Sequence, residues 1–374
     1  MIKMVIKVKK KNIIYIIIPL ILFFIISVIT VYSATKATTS VSIIKKQVIW
    51  YILGFLIIIF MQKSSFKWLD KLIIPLYIIF NILLLLLLIF GKEINGSKCW
   101  FVLPGIGSFQ PSEFMKLVLI LVNTKFLNEH NKKYPTSTFK SDLKVFFIIM
   151  LITLIPSILT FLEPDTGMVI IYFIISFVML FIYGIKKSIF IILITILVVI
   201  IGGFLYYYFN YQDNFINIFG TSFFYRIDRI LDWSSKSGMQ LTNALASIKA
   251  AGLFGFGIGN TPIYIPEAHT DFIFSVFSSN FGLIGSLILI LSIIIFDFGL
   301  IKIINNTNNY SLKYITTGFL TMILYQQIQN ISMNIGLLPI TGITLPFISY
   351  GGSSLLSYMI GIGIILNYEN KSVK

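Results

Sequence analysis

Residues 265–300 read IPEAHTDFIFSVFSSNFGLIGSLILILSIIIFDFGL. A polar cluster holding Glu267, His269 and Asp271 runs straight into an apolar block that continues to residue 301. An apolar run of about 20 residues is the length that crosses a bilayer as a helix. Similar blocks recur along the chain at 13–33, 47–62, 72–90, 112–127, 144–162, 167–184, 188–208, 313–334 and 351–368. With 272–301 they predict ten transmembrane helices. Composition agrees, since the 374 residues are 57% hydrophobic and 11% charged, against about 25% charged in soluble domains. A water-soluble fold of this make-up lacks the polar residues to cover itself. The expected fold is an all-α polytopic bundle, a single domain over 1–374, with short tails and no internal repeat. The lysines before the first block resemble a signal peptide's head, but the many later blocks favour an uncleaved first helix.

The net charge of +15 invites a nucleic-acid reading, which the distribution of the charge excludes. With the N-terminus inside, the inner segments carry most of the Lys and Arg, which is the positive-inside pattern. Both termini are then cytoplasmic, and the basic excess reports topology and contact with anionic membrane lipid. The lone cysteine, Cys99, falls on the outer side as a small apolar loop residue. It has no disulfide partner and belongs to no metal-ligand spacing.

One connection is long. Residues 209–271 form a single large outer loop holding Asp213, Asp228, Asp232, Glu267, Asp271, Arg226 and Arg229. Long ordered loops tend to carry function. Within it, GMQLTNALASIKAAG (238–252) has apolar residues at helical spacing and closes on glycine, which predicts a helix.

Polar groups at membrane depth cost several kcal/mol unless paired or wet, so each needs an account. In FQPSEFMK (109–116), Pro111 suits a first helical turn, and Ser112 or Gln110 can cap it. Glu113 and Lys116, three apart, share a helix face. They are either a structural ion pair or the lining of a wet cavity where Lys116 meets an anionic group. FLEPDTG (161–167) reads as a tight outer turn; its Glu163 and Asp165 could instead hold a cation or orient a sugar. GLFGFGIGN (252–260) lacks the Lys-Ser/Thr of a phosphate loop and reads as a close-packed or re-entrant turn. LPITGITLPFISYGGSS (338–354) breaks the helical pattern before the last span. Irregular backbone at that depth must be buried in protein or line a cavity, where Tyr350, Ser353 and Ser354 would offer neutral hydrogen bonds. Thr270 or Asp271 can be a simple N-cap. Alternatively, apolar walls raise the Asp271 carboxyl's pKa and make it a base for a hydroxyl on a membrane-tethered substrate.

The blocks NGSKCWFVLPGIGSFQPSEFMK (95–116), EPDTG (163–167), YRIDRI (225–230), IPEAHTDFIF (265–274) and QNISMNIGLLPITGITLPFISYGGSS (329–354) resemble the SEDS family (shape, elongation, division and sporulation), the RodA type more than FtsW. The resemblance implies a peptidoglycan glycosyltransferase that polymerises lipid II into glycan strands outside the cytoplasmic membrane. It also implies a class B penicillin-binding protein as partner in a cell-wall synthesis complex. The family's essential aspartate falls on Asp271, and its QPSE-x-x-K element on Gln110, Pro111, Ser112, Glu113 and Lys116. The implied chemistry is one inverting displacement in which Asp271 takes the proton of a sugar 4-hydroxyl. Lys116, Arg226, Arg229 or a divalent cation, Mg or Mn, neutralises the departing diphosphate. Glu267, His269, Tyr350, Ser353 and Ser354 complete the expected substrate site, with no organic cofactor. The chain departs from the family at Ser278-Ser279-Asn280, where Gly-Glu-Glu is usual, at Ile263, where an acid is common, and at Phe256, where a base is common. Two other readings stay open: a lipid II flippase using Glu113, Lys116 and the broken helices, and a non-catalytic scaffold that activates a penicillin-binding protein.

Overall fold

The computed structural model describes the chain except residues 1, 37–40, 65–66, 95–96, 104–106, 135–137, 222–223, 225–237 and 372–374. Arg226 and Arg229 lie outside the described residues. The helices are α1 (Ile2–Thr35), α2 (Val41–Lys63), α3 (Lys67–Phe90), α4 (Pro111–Lys133), α5 (Phe139–Leu162), α6 (Thr166–Tyr183), α7 (Lys187–Asn210), α8 (Gln212–Phe219), α9 (Met239–Ala250), α10 (Ile273–Asn306), α11 (Tyr310–Asn334) and α12 (Gly352–Lys371). A long helix covers each of the ten expected segments. Seven of these, α1–α3, α5–α7 and α10, are long and apolar enough by themselves to cross a membrane.

The other three, α4, α11 and α12, are largely enclosed by other helices. α4 packs on α3, α5, α6, α11 and α12, and α12 packs on α2. A helix enclosed by protein can carry Asn123, Gln326, Gln327 and Asn330, all buried, because their NH2 groups donate to Ser176, Tyr358, Asp297 and the Asp271 carbonyl on neighbouring elements. Without a hydrophobic drive between helices in lipid, association depends on close packing and small residues. At Gly361 an added Cβ would lie 2.3 Å from the Phe319 ring, and at Gly54 2.6 Å from Met359, so larger side chains there would push α12 away from α11 and α2.

Two features depart from a bundle of straight helices. The outer segment after α3 contains strands β1 (Lys92–Ile94), β2 (Ser97–Leu103) and β3 (Gly107–Phe109), paired antiparallel in that order. Phe101 opposes Phe109, so the fold is not all-α. The run KCWFVL is rich in aromatic and β-branched residues, which suit strands. Cys99 lies buried in β2 and donates from Sγ to the Glu163 carbonyl oxygen at 3.2 Å.

The second departure is in α10, expected as one continuous span. It breaks at Gly282 (φ 64°, ψ −161°), a conformation essentially confined to glycine. The glycine-rich stretch after α9 fills the break. Phe256 N–H donates to Ser279 O at 2.9 Å, Gly257 N–H to Asn280 O at 2.9 Å, and Leu283 N–H to Gly252 O at 3.0 Å. The expected helix within the outer loop is α9, which ends before Gly252 at φ +59°.

Candidate active site

The site assembles where α10 and α12 begin. After Pro266 the chain turns on Glu267, held at φ +51°. The Glu267 carbonyl accepts the N–H groups of Thr270 (3.3 Å), Asp271 (3.1 Å) and Phe272 (3.2 Å). Phe272, not Thr270 or Asp271, is the N-cap of α10, and it makes no side-chain cap bond. The Asp271 carboxylate is therefore not consumed by capping.

Its backbone is fixed from below. Asn330 and Asn334 of α11 donate from Nδ2 to the Asp271 carbonyl at 2.8 and 3.0 Å. Asn334 Oδ1 accepts from the Ser275 N–H at 3.1 Å and from Ser275 Oγ at 2.6 Å. Asn330 also donates to Ile343 O at 2.8 Å, which ties the irregular segment 335–351 to the same point. These asparagines escaped the residue-by-residue reading. The available signal was a pair of amides one turn apart at the end of an apolar span, where polar groups must have partners.

Segment 335–351 starts exposed at Ile335, Leu337 and Ile340, is buried in protein from 345 to 349, and forms part of the site's wall. Phe347, at φ +64°, is buried against Phe23, Phe296 and Tyr358, and its carbonyl accepts from Tyr51 Oη. Tyr350 N–H donates to His269 O at 2.9 Å and Ser349 Oγ to Thr270 O at 2.6 Å. Gly342, at φ +69°, faces Asp271: a Cβ there would lie 3.7 Å from Oδ2.

Asp271 is half-buried. Burial pushes its carboxyl up to about 7, Glu267 adds to the rise and the Thr270 hydroxyl opposes it. Between described residues the ion pair is Lys116 with Glu113, and no described cation pairs with Asp271. His269 is half-buried with its ring 5.7 Å from that of Tyr350. Burial lowers its pKa and Glu267 opposes this, so the imidazole is neutral at pH 7. Glu267, His269, Asp271 and Tyr350 are thus brought together.

The expected serines are not part of that wall. Ser353 Oγ donates to Ser108 O at 3.2 Å and accepts from Gln110 N–H at 3.1 Å, while Ser354 Oγ donates to Gly351 O at 3.2 Å. Both hydroxyls tie the start of α12 to its surroundings.

Lys116 and Glu113 form a second cluster, on α4. Nζ lies 2.7 Å from Glu113 Oε2, and both side chains are out of solvent. The ammonium also lies 5.2 Å from the centre of the Tyr358 ring and has no hydrogen-bond partner beyond that pair. The Glu113 and Ser112 carbonyls accept from Ser357 Oγ (2.8 Å) and Tyr172 Oη (3.1 Å), so α12 and α6 hold this turn. Gln110 is the N-cap of α4 but makes no cap bond; its Nε2 donates to Asp165 Oδ2 at 3.1 Å. Asp165 caps α6 through Met168 N–H at 3.3 Å. Burial raises Asp165 to about 6, Glu113 reinforces the rise and Lys116 counters it. Glu163 is fully buried with neither carboxylate oxygen hydrogen-bonded; burial, then Asp165, pushes it up to about 9. The two clusters meet through the irregular segment, whose Gly342 faces Asp271 while Thr341 O and Ile343 pack on Gly167 beside Asp165.

Among the described residues no three His, Cys, Asp or Glu side chains converge.

The sequence profile of the FtsW/RodA/SpoVE family, described as cell cycle proteins, matches residues 10–374. A probable peptidoglycan glycosyltransferase FtsW of Coxiella burnetii is 35% identical over 79% of this chain and 78% of its own. Stage V sporulation protein E of Bacillus subtilis is 30% identical over 93% of this chain and 94% of its own. Among solved structures, a chain from work on the structural coordination of polymerization and crosslinking by a peptidoglycan synthase complex superposes with a TM-score of 0.78. It is 25% identical, covering 95% of this chain and 97% of that one. The rod shape determining protein RodA of Thermus thermophilus gives 0.67 at 26% identity, with 96% of each chain covered.

Proposed function

Because the chain belongs to the FtsW/RodA/SpoVE family of cell cycle proteins, we propose that it is a peptidoglycan glycosyltransferase in which Asp271 is the general base. It is a multi-pass protein of the cytoplasmic membrane, built from ten spans with both termini inside, and the Asp271 site faces outward. The substrate is lipid II, whose undecaprenyl tail stays in the bilayer while its sugars reach the site. The observation that carries the reading is Asp271 itself. Its backbone is pinned by Asn330 and Asn334, its carboxylate is unspent on a cap or, among the described residues, on an ion pair, and its pKa of about 7 suits proton transfer near neutral pH.

The 4-hydroxyl of the incoming sugar gives its proton to Asp271 as its oxygen attacks the anomeric carbon of the donor. The bond from that carbon to the diphosphate breaks, and the diphosphate leaves with the electron pair. Inversion in one step needs no second carboxylate to protonate the leaving group. Lys116 is sealed from solvent and neutralised by Glu113 at 2.7 Å, so the pair holds the start of α4 beside the site rather than supplying a free positive charge. No step is routed through a metal ion. The neutral His269 and Tyr350 serve as hydrogen-bonding groups for sugar hydroxyls. Kinship with a chain of a solved peptidoglycan synthase complex supports a cross-linking class B penicillin-binding protein as partner.

The test is polymerisation of purified lipid II by the reconstituted protein, with and without that partner. Wild type yields glycan polymer and Asp271→Ala none, at equal folding by size-exclusion profile. Full activity of Asp271→Ala refutes the assignment. Movement of labelled lipid II across the bilayer without polymer makes the protein a flippase.

A further inference from the structure

The glycine stretch that fills the break in α10 has a second property. Leu253, Phe254, Phe256 and Ile258 turn outward and are 57%, 77%, 41% and 51% exposed. No acid occurs from 250 to 266. The backbone that carries them is held firmly. Beyond its bonds to 279–283, Gly257 O and Asn260 O accept from Asn280 Nδ2 at 3.1 and 3.2 Å, and Gly259 N–H donates to Ser33 Oγ at 2.9 Å. A Cβ on Gly255 would lie 2.4 Å from the Asn280 carbonyl. A rigid hairpin thus presents four large apolar side chains outward.

Its height follows from α10. Residues 273–280 are buried, whereas Leu283, Leu287, Leu291, Ile294 and Phe298 are exposed in a continuous strip. Below the strip Lys302 lays its ammonium over the rings of Tyr15 (4.1 Å) and Phe298 (4.7 Å), as a lysine does at a membrane boundary. From Lys302 to Leu283 the helix rises about 28 Å at 1.5 Å per residue, close to the ~30 Å of a bilayer's hydrocarbon core. Leu283 therefore marks the outer edge of the acyl chains, and the hairpin bonded to it lies in that plane. Two exposed cations flank the apolar tip. Lys36 has its side chain beside Gly259, and Lys249 ends α9. Apolar side chains ringed by lysines complement the boundary between acyl chains and lipid phosphates.

We propose that residues 251–260 are a lipid anchor inserted into the headgroup boundary of the outer leaflet, which fixes the height of Asp271 above the membrane. The outer part of α10, residues 273–281, is about 13 Å long by the same rise per residue and lies beyond the Gly282 break, on the outer side of the acyl edge. This holds the acid at the level of headgroups rather than tails. What that height serves rests on the glycosyltransferase reading; the anchor itself does not.

The test places an environment-sensitive fluorophore on Phe254→Cys, leaving buried Cys99 unlabelled, in vesicles of phosphatidylcholine and phosphatidylglycerol. Expected are blue-shifted emission, strong quenching by lipids spin-labelled at the headgroup or carbon 5, and weak quenching by carbon-12 label or aqueous iodide. Water-like emission quenched by iodide overturns the anchor. So does blue-shifted emission that ignores lipid quenchers and fades on dilution into excess lipid, which marks a protein occupant. For the height claim, the double variant Phe254→Ser, Phe256→Ser is expected to keep its detergent unfolding midpoint and lose about fivefold of its polymerisation rate in vesicles. An unchanged rate overturns the height claim. Failed quenching leaves the Asp271 assignment standing, and an active Asp271→Ala leaves the anchor standing.

Discussion

Replacing Glu163 by glutamine isolates the energetic cost of the buried outer turn. Both carboxylate oxygens of Glu163 are out of solvent without a hydrogen bond, and the group is raised from 4.5 to about 9. An acid raised in the fold binds its proton more tightly folded than unfolded. Its contribution is intact below pH 4.5 and is lost as pH climbs toward 9. Each pH unit in that window is worth about 1.4 kcal/mol, so by pH 7 the wild type has lost about 3 kcal/mol through this one residue. At about 2 °C per kcal/mol for a large chain, the unfolding midpoint falls by roughly 6 °C between pH 4.5 and 7. Glutamine carries no titrating proton. The Glu163→Gln protein keeps the losses from Asp165, raised to about 6, and from Asp271, raised to about 7, but not that from Glu163. The assay is the thermal midpoint from tryptophan fluorescence at half-unit steps from pH 5 to 8. A thiol-reactive dye at pH 7 and 8 provides a local readout, since the single cysteine, Cys99, is buried against the Glu163 carbonyl and burial pushes its thiol up. The expected result is a wild-type curve that falls away from the variant's as pH rises. Parallel curves across the range would show that Glu163 is ionised in the fold, and the argument from burial would fail.

Other outcomes follow from the same geometry. The ratio kcat/KM should rise with pH and level off above about 7, where Asp271 is ionised; Glu267→Gln removes a charge that raises Asp271, so the midpoint of a pH–rate profile moves to lower pH. Lys116→Ala strands a buried Glu113 and is expected to cost about 3–5 kcal/mol, read as a drop in the detergent unfolding midpoint; an unchanged midpoint would mean that the site is hydrated. Asn334→Ala removes the amide that holds the Asp271 carbonyl and Ser275, costing about 1–3 kcal/mol. Its turnover number is expected to fall further than its KM rises, because Asp271 is misplaced rather than removed.

Much of this protein was legible in one dimension. Apolar blocks of bilayer length located all ten long helices, because a chain in hydrocarbon must satisfy its backbone internally and helices do so locally. The pairing of Glu113 with Lys116 was visible as well, since three residues along a helix bring side chains onto one face. The helix in the outer loop and the breaks at glycine and proline were also readable, being decided by neighbours in sequence. Only tertiary contacts decided the rest. Enclosure by other helices lets α4, α11 and α12 be polar, and no local pattern records enclosure. The break at Gly282 exists because Gly252–Gly257 supplies the hydrogen bonds the helix gives up, from a stretch well upstream in sequence. Whether Asp271 caps a helix or stands free depends on Glu267 taking the turn's N–H groups and on asparagines 59 and 63 positions later gripping its carbonyl. Local chemistry thus set which segments form the long apolar helices, while long-range hydrogen bonds set where the Asp271 backbone is held.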